Sequence, residues 1–308
     1  MIFDQLKKRT AQFVFDRYFA PRLSDLVAPQ VPIALDYAVD AKPRYGYGRQ
    51  PHPLLYDMLD ANTAAYRAIL QDVAGEVGMF HAIAAEARDA ASAAAPDFDN
   101  LYFSGLDALA LCEMLRRRNP RLYVELGSGN STKFARRTIR DYDLRTLIVS
   151  LDPAPRADIN ELCDEVIRQP TEAVDMALFD EIAADDILFI DSSHRSYMNS
   201  DVTNIFLEIL PRLKPGTLVH FHDILLPYDY PPQWANRWYS EQYLLACHLL
   251  GGGSRLRVVL PNAFISQEAE LMQILDGLWL HPEMRAIHAH SLALYHGYLG
   301  NSFWAEVV

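Results

Sequence analysis

The stretch YVELGSGNST, Tyr123 to Thr132, decides the fold that the sequence predicts. It begins as an apolar run and continues into a loop with two glycines, Gly127 and Gly129. Glycine allows a sharp turn and a close approach of the main chain to a ligand. The helix that follows can be capped by Asn130, Ser131 or Thr132. A strand, a glycine turn and a helix N-terminus in succession are typical of a nucleotide-type pocket.

Two acidic residues accompany this loop. Glu125 lies inside the predicted strand, where burying a carboxylate costs free energy unless it is hydrogen-bonded. Asp152 ends the next apolar run, at the separation where an acidic side chain meets ribose hydroxyls. A dinucleotide-binding fingerprint would have a third glycine or alanine at the position of Thr132. The loop therefore indicates an adenosine-type ligand and disfavours a dinucleotide.

Short apolar runs alternate with helical patterns around this loop. The predicted strands are 122 to 127, 146 to 152, 186 to 191, 217 to 223, 256 to 265 and a last one near 302 to 308. Such runs, separated by helices, indicate a parallel sheet covered on both faces. We predict an α/β fold with a Rossmann-like, seven-stranded, mostly parallel sheet, helices on both faces, and an N-terminal helical region.

The N-terminal third has a different pattern. A Pro- and aromatic-rich passage up to about residue 50 interrupts regular structure and predicts an arm. From Pro53 to Ala95 the apolar spacing predicts two helices with a break near Gly75 to Gly78. Pro96 suggests a boundary. We expect residues 1–100 to form an arm and helical cap, and residues 101–308 to form the ligand-binding domain, which starts with a helix at about Gly105 to Arg118.

The composition narrows the function classes. A formal net charge of −12 argues against a nucleic-acid partner. The three cysteines have no metal-ligand spacing and predict buried free thiols in a reducing compartment. The first residues resemble neither a signal peptide nor a membrane span, so we expect a soluble, cytoplasmic protein. A monomer and a homo-oligomer both stay open.

A second group of polar residues follows two of the predicted strands. Asp191 and His194 follow one apolar run, and His220, His222 and Asp223 end the next. Ligands bind outside the carboxyl ends of the strands in open parallel sheets, and alternation places the last two histidines on one side of their strand. The cluster is suited to a divalent cation or to proton transfer. The structural alternative is that each histidine is a core residue and each aspartate caps a turn.

ELGSGNST resembles motif I of the class I S-adenosylmethionine (SAM)-dependent methyltransferases, and SLDP resembles their acidic motif on the second strand. The resemblance covers roughly residues 100–308, which it identifies as a SAM-binding methyltransferase domain. It implies that Asp152 holds the ribose and that Gln169 to Glu172 lie beside the adenine. The residues implied to line the methionine part of SAM are Glu125, Gly127, Ser128 and Gly129. The full set of implied cofactor-binding residues is Glu125, Gly127, Ser128, Gly129, Ser131, Asp152, Pro153, Gln169 and Asp191.

The strand-end cluster is similar to that of metal-dependent O-methyltransferases. These enzymes have an Asp-Asp or Asp-Asn pair at the position where this chain has His222 and Asp223. That similarity implies O-methylation of a small molecule or saccharide, with Asp191, His222 and Asp223 as ligands of Mg²⁺ or another divalent cation. Asp191, His194 and His222 are the implied catalytic residues. A metal would lower the pKa of a substrate hydroxyl, whereas without one a histidine would accept its proton directly.

Aromatic residues follow the predicted strand 217 to 223, and we expect them to form a wall of the acceptor pocket. They are Tyr228, Tyr230, Trp234 and Trp238. Alternatively, they pack the N-terminal helices onto the core. Two other function classes stay open: a non-catalytic adenosyl-nucleotide-binding or interaction protein with the same fold, and a metal-dependent hydroxylase or hydrolase.

Overall fold

The computed structural model describes residues 38–89, 94–155, 157–252 and 255–308. The chain divides into two compact units, Met1–Lys42 and Pro43–Val308. Most of the predicted arm lies outside the described residues. The second unit contains every strand and helix that the structure describes.

A single seven-stranded sheet organises this unit. Its spatial order is β3-β2-β1-β4-β5-β7-β6, and only β7 runs antiparallel to its neighbours. The strands are β1 Leu122–Leu126, β2 Leu147–Leu151, β3 Glu165–Ile167, β4 Ile187–Ile190, β5 Leu218–Phe221, β6 Leu256–Pro261 and β7 Phe303–Val307. The predicted Rossmann-like, mostly parallel sheet is confirmed.

Four of the parallel strands end in register. Leu126 of β1 pairs with Leu151 of β2 and Ile190 of β4, and Ile190 pairs with Phe221 of β5. The residues that follow the four strands therefore lie side by side at the carboxyl ends of the sheet. In spatial order they are Asp152, Gly127, Asp191 and His222.

Helices surround the sheet. They are α1 Pro53–Asp60, α2 Thr63–Gly75, α3 Val77–Asp89, α4 Gly105–Arg118, α5 Asn130–Asp141, α6 Ala177–Asp180, α7 Asp201–Asn204, α8 Leu210–Arg212, α9 Glu241–Leu250, α10 Asn262–Ile265, α11 Ala269–Met272, α12 Asp276–Trp279 and α13 Pro282–Leu294. One π-helical turn, Ile205–Ile209, joins α7 to α8.

The N-terminal helical region contains three helices where the sequence predicted two. The break at Gly75 is confirmed, but a second one separates α1 from α2, where Ala61 caps α1 and its N–H donates to the carbonyl of Asp57. The apolar spacing continues through this turn and therefore hid it. Leu59 of α1 and Leu70 of α2 are buried in the main core, so these helices pack onto the sheet unit.

One predicted strand is shorter than expected. β6 ends at Pro261, and the residues predicted to continue it form α10 instead. Asn262 explains the change, because its N–H donates to the carbonyl of Ser302 and its amide donates to the carboxylate of Asp107. Strand β3 was not predicted, because it is a three-residue edge strand with little burial and therefore a weak apolar signal.

Two smaller expectations concern the cysteines and the membrane. All three cysteines are free, but only Cys112 is buried, whereas Cys163 is half-buried and Cys247 is exposed. Among the described residues, none of the helices has the length and apolar character needed to cross a bilayer.

Leu54 and Leu59 of α1 offer a matched test of this packing, because Leu54 is 63% exposed and Leu59 only 1%. We expect Leu59→Ala to lower the free energy of unfolding by about 2–5 kcal/mol, through lost burial and a residual cavity. Leu54→Ala should change it by less than about 0.5 kcal/mol. Urea denaturation of both variants measures the difference. Equal effects would show that α1 does not contribute to the core of this unit.

Candidate active site

A cavity of about 870 Å³ opens at the carboxyl ends of β1, β2, β4 and β5. Eight of the predicted site residues line it: Gly127, Ser128, Asp152, Pro153, Asp191, His194, His222 and Asp223. Four do not: Glu125, Gly129, Ser131 and Gln169. The structure thus brings the predicted loop and the predicted strand-end cluster to one cavity.

Gly127 joins the loop to the end of β4. Its φ of +83° lies in the left-handed region, and a Cβ there would stand 1.9 Å from the main-chain oxygen of Asp191. A side chain is therefore excluded both by conformation and by space. Asp191 N–H donates to the carbonyl of Leu126 at 2.8 Å, which holds the two segments together.

Glu125 holds the glycine loop from behind. Its fully buried carboxylate accepts hydrogen bonds from the hydroxyls of Tyr123, Ser131 and Thr132. The Thr132 hydroxyl also accepts the N–H of Gly129 at 3.1 Å. Burial raises the pKa of Glu125 to about 7, although the hydroxyl donors oppose this rise. Since Glu125 does not line the cavity, these contacts point to a positioning role, and a direct contact with SAM stays a prediction.

Asp152 fixes the other side of the loop. One carboxylate oxygen accepts the N–H of Ser128 and the other accepts the N–H of Ala154, both at 2.8 Å. A carboxylate has further lone pairs, so Asp152 can still accept hydrogen bonds from a ligand in the cavity. Farther along the rim, Gln169 is exposed and outside the lining, whereas the next three residues, 170–172, line the cavity.

His194 lies between two carboxylates at the cavity wall. Its Nε2 is 3.3 Å from Asp191 Oδ1 and 3.4 Å from Asp223 Oδ2, and its Nδ1 is 2.8 Å from Glu241 Oε2. Burial alone lowers the pKa of His194, but hydrogen bonding to Asp191 and Glu241 and the negative charge of Asp223 raise it well above the usual value. Glu241 does not line the cavity and so acts on His194 from behind.

His222 has a similar environment. Its Nδ1 is 3.5 Å from Asp191 Oδ1 and 3.7 Å from Asp223 Oδ1, and its Nε2 is 3.5 Å from Asp107 Oδ2. Burial lowers its pKa, but the surrounding carboxylates outweigh burial and raise it well above the usual value. In turn, burial raises the pKa of Asp191, and the two histidines outweigh it and hold that pKa below its usual range. The cluster alternates acids with imidazoles.

Sequence reasoning missed Asp107 and Glu241. Asp107 lies in α4 with no exposed surface, and its carboxylate accepts the N–H groups of Asn301 and Ser302 and the amide of Asn262. The available signal was an acidic residue inside the apolar run GLDALAL, where a carboxylate needs partners. Glu241 stands at the first position of α9, where an acid usually interacts only with the helix N-terminus.

The predicted metal ligands do not fit a cation. Among the described residues, no three His, Cys, Asp or Glu side chains are arranged to hold a metal ion. Asp191 and Asp223 instead both lie close to Nε2 of His194, which occupies the space between the two acids. His222 differs from His194, because its two buried ring nitrogens have no hydrogen-bond partner among the described residues.

The two histidines of β5 and its end have different environments. His220 does not line the cavity, and its ring stacks on Trp304 at 4.0 Å and meets Phe189 at 4.4 Å, measured between ring centroids. Burial lowers its pKa well below the usual value. The structural alternative therefore holds for His220, whereas His222 belongs to the cluster.

The predicted aromatic wall is divided. Trp234 lines the cavity, together with Tyr239, which the sequence pattern did not single out. Tyr228 and Tyr230 share a buried cluster with Trp234, and a Cβ added at Gly46 would touch the Tyr228 ring. Trp238 is exposed and does not line the cavity. The predicted wall thus holds for Trp234, whereas Tyr228 packs against the segment before α1.

A family model described as a methyltransferase domain matches residues 124–224. The match begins in β1 and ends just after β5, so it includes the glycine loop and the ends of the strands that form the cavity. This region is therefore similar to a methyltransferase domain. Among proteins with curated descriptions, none matches the sequence.

Three solved methyltransferases have weakly similar structures, each with S-adenosylhomocysteine (SAH) bound. Podospora anserina PaMTH1 is 19% identical over 49% of this chain and 71% of its own, with a TM-score of 0.36. The plantazolicin methyltransferase BamL is 12% identical over 64% and 81%, with a TM-score of 0.39. An O-methyltransferase from Bacillus cereus is 16% identical over 77% and 90%, with a TM-score of 0.35. Similarity at this level does not bear on the reaction of this chain.

Gly127 and Gly129 provide a matched pair for the loop. Gly127→Ala should lower the free energy of unfolding by at least about 1–3 kcal/mol, because the new Cβ collides with main chain at a positive φ. A Cβ at Gly129 meets nothing within 4 Å, so Gly129→Ala should change stability by less than about 1 kcal/mol. Urea denaturation compares the two. If the two substitutions have equal effects, the close contact with Asp191 does not exist in solution.

Proposed function

We propose that this chain methylates an oxygen atom of a small molecule or saccharide, with SAM as the methyl donor. The observation that carries the proposal is that the loop of the methyltransferase domain and the Glu241–His194 pair open on one cavity. A cofactor site and a proton acceptor are the two parts that an O-methylation needs.

The loop residues fit the cofactor. The cavity volume of about 870 Å³ lies within the range of small-molecule and cofactor sites. Asp152 would hold the ribose, Gly127 and Ser128 would face the methionine part, and Pro170 to Glu172 would lie beside the adenine. SAM, when bound, supplies an electrophilic methyl group. Glu125 and Thr132 would keep the loop in shape through their hydrogen bonds to each other and to the N–H of Gly129.

His194 is the proposed proton acceptor. Its Nδ1 is held by Glu241, and its Nε2 points between Asp191 and Asp223 at the cavity wall. A carboxylate behind an imidazole fixes the ring orientation and stabilises the protonated form, as in other acid–histidine pairs. His194 would take the proton of the acceptor hydroxyl at Nε2. His222 and Asp191 would keep the local charge balanced.

Proton transfer to His194 requires no metal, and we propose a metal-independent reaction because the three predicted ligands do not fit a cation. The same observation disfavours the hydroxylase or hydrolase alternative, whose chemistry would depend on that cation. The non-catalytic alternative does not explain why Asp191, His194 and His222, each with a strongly shifted pKa, are grouped at the cavity.

We also propose that residues 101–308 contain the whole reaction site. Every lining residue lies between Leu101 and His296. Within the described residues, α1 to α3 contribute no lining side chain and pack behind the site. The helical region before residue 100 would then support the site rather than cover it.

Asp152 tests the cofactor assignment. We expect Asp152→Asn to weaken SAH binding by about tenfold or more, because the amide cannot accept both loop N–H groups and ribose hydroxyls. Isothermal titration calorimetry with SAH measures this. Asp180→Asn, at an exposed side chain away from the cavity, is the matched control. Absence of SAH binding by the unaltered protein would overturn the proposed function.

His194 tests the chemistry. His194→Gln should lower methyl transfer by about 10²–10⁴-fold while SAH affinity is retained. Because only neutral imidazole accepts a proton, turnover of the unaltered protein should rise with pH through the raised pKa of His194. Glu241→Gln removes an anionic partner and should move that rise to lower pH.

Transfer of a labelled methyl group to a panel of catechols and sugars, with and without a chelator, measures these effects. His248→Gln, whose ring lies outside the cavity lining, is the control. Unchanged turnover of the His194 variant would remove it from the mechanism, and loss of turnover with chelator would restore a metal.

A further inference from the structure

Two arginines, Arg195 and Arg237, stand on the acceptor side of the cavity. Among the described residues that line it, they are the only Arg or Lys side chains. The other charged lining residues, apart from histidines, are acidic: Asp152, Glu172, Asp191, Asp201 and Asp223. Apart from the histidines, positive charge in the described lining is therefore confined to these two arginines, in a chain with a net charge of −12.

The two guanidinium groups are held by an aromatic ring and by main chain. Arg195 Cζ lies 5.1 Å and Arg237 Cζ 5.5 Å from the ring centroid of Tyr239, and Arg237 Cζ lies 4.4 Å from that of Trp234. Arg195 Nε donates to the carbonyl of Arg237 at 2.8 Å, and Arg195 Nη1 donates to the carbonyl of Ser193 at 3.1 Å. Hydrogen bonds thus hold the Arg195 guanidinium in place, and two aromatic rings contact that of Arg237.

Neither guanidinium group forms an ion pair with a carboxylate of the described residues. Over the described part of the chain, no Asp or Glu oxygen lies within ion-pair distance of Arg195 or Arg237. Arginines elsewhere do pair, as Arg118 does with Asp185 and Glu306. Asp201, an acidic residue of the same lining, is engaged by the N–H and hydroxyl of Ser193. Like charges near one ring repel each other, and an anion bound between them would remove that repulsion.

We propose that the methyl acceptor carries an oxyanion, a carboxylate or a phosphate, which Arg195 and Arg237 bind together. This inference rests on the proposed function and specifies its substrate class. The planar guanidinium presents paired N–H donors that match both kinds of oxyanion. Trp234 and Tyr239 supply flat apolar surface beside them for the body of the ligand.

The same ring connects the anion site to the proton acceptor. The His194 ring centroid lies 4.7 Å from that of Tyr239, whose ring the two guanidinium groups also contact. An acceptor anchored at the arginines therefore reaches His194 across the width of about one aromatic ring. The methylated hydroxyl and the oxyanion belong to one compact molecule, such as a hydroxylated aromatic acid or a sugar phosphate.

Matched pairs of probes test the proposal. The pairs are protocatechuate with its amide, and glucose phosphate with glucose, titrated by calorimetry into SAH-loaded protein. At least one oxyanion should bind about tenfold or more tightly than its neutral partner, because charge-assisted hydrogen bonds are lost in the neutral compound. The pair that shows the preference distinguishes an aromatic acid from a sugar phosphate.

The variants are R195Q, R237Q and the double substitution, with R285Q as the control at an exposed arginine outside the lining. The double variant should bind both members of the pair about equally, and R285Q should keep the preference. SAH affinity should stay within about twofold in all variants, since the arginines face the acceptor.

Several results would overturn the inference: equal binding of the neutral partners, failure of every oxyanion to bind, or a double variant that retains the preference. Weakened SAH binding with an unchanged preference would assign the arginines to the cofactor instead. SAH binding with no oxyanion preference leaves the proposed function intact and removes only this substrate class. Absence of SAH binding removes both.

Discussion

Four parallel strands of the sheet end at the same level, and the site depends on this register. Leu151, Leu126, Ile190 and Phe221 form one row across β2, β1, β4 and β5. Ladder hydrogen bonds continue for one residue beyond all four of these ends, as where His222 N–H donates to the carbonyl of Ile190. The first residue after each strand is thereby fixed by main chain alone. A shift of one residue in any strand would turn its side chains to the opposite face and dismantle the row.

Fixing these residues places charges close together inside the protein, and this has a cost. A buried carboxylate or imidazolium loses hydration free energy, which is recovered only through well-placed partners. Here each charge has partners from distant parts of the chain, because Asp107 comes from α4 and Glu241 from α9. Gly300 illustrates how closely they pack, since a Cβ there would stand 2.3 Å from Asp107 Oδ1. Removing one member would leave a neighbour buried and unpaired.

This arrangement explains what the sequence could and could not predict. Apolar runs predicted the central strands, and the residues at their ends, such as Asp191 and His222, because a parallel sheet brings its carboxyl ends together. Asp107 and Glu241 were missed because their partners lie far away along the chain and no local pattern reports them. His220 and His222 are two residues apart, so the alternation of side chains along a strand does not distinguish them. The stacking of Trp304 on His220 identifies His220 as a core residue and is not visible in the sequence.

The cavity-facing part of the loop was predicted more fully than its support. Gly127 and Asp152 follow from strand, turn and acidic spacing, which are local features. The role of Glu125 could not be predicted in the same way, because it depends on the direction of its side chain. In the structure that side chain accepts hydrogen bonds from the hydroxyls of Tyr123 and Thr132. The short edge strand β3 and the turn into α10 were missed for a related reason, since each is set by contacts across the sheet edge.

The strand ends hold a second source of positive charge beside the metal that the sequence suggested, namely a histidine side chain. Asp191 and Asp223 face each other across the cavity wall, and two such carboxylates need a cation between them. In this chain His194 occupies that position, with Nε2 at 3.3 and 3.4 Å from the two acids. A metal would hold its charge at every physiological pH, whereas an imidazole can gain and lose it. In the proposed reaction His194 would therefore also carry the proton, at a pH that Asp191, Glu241 and Asp223 together determine.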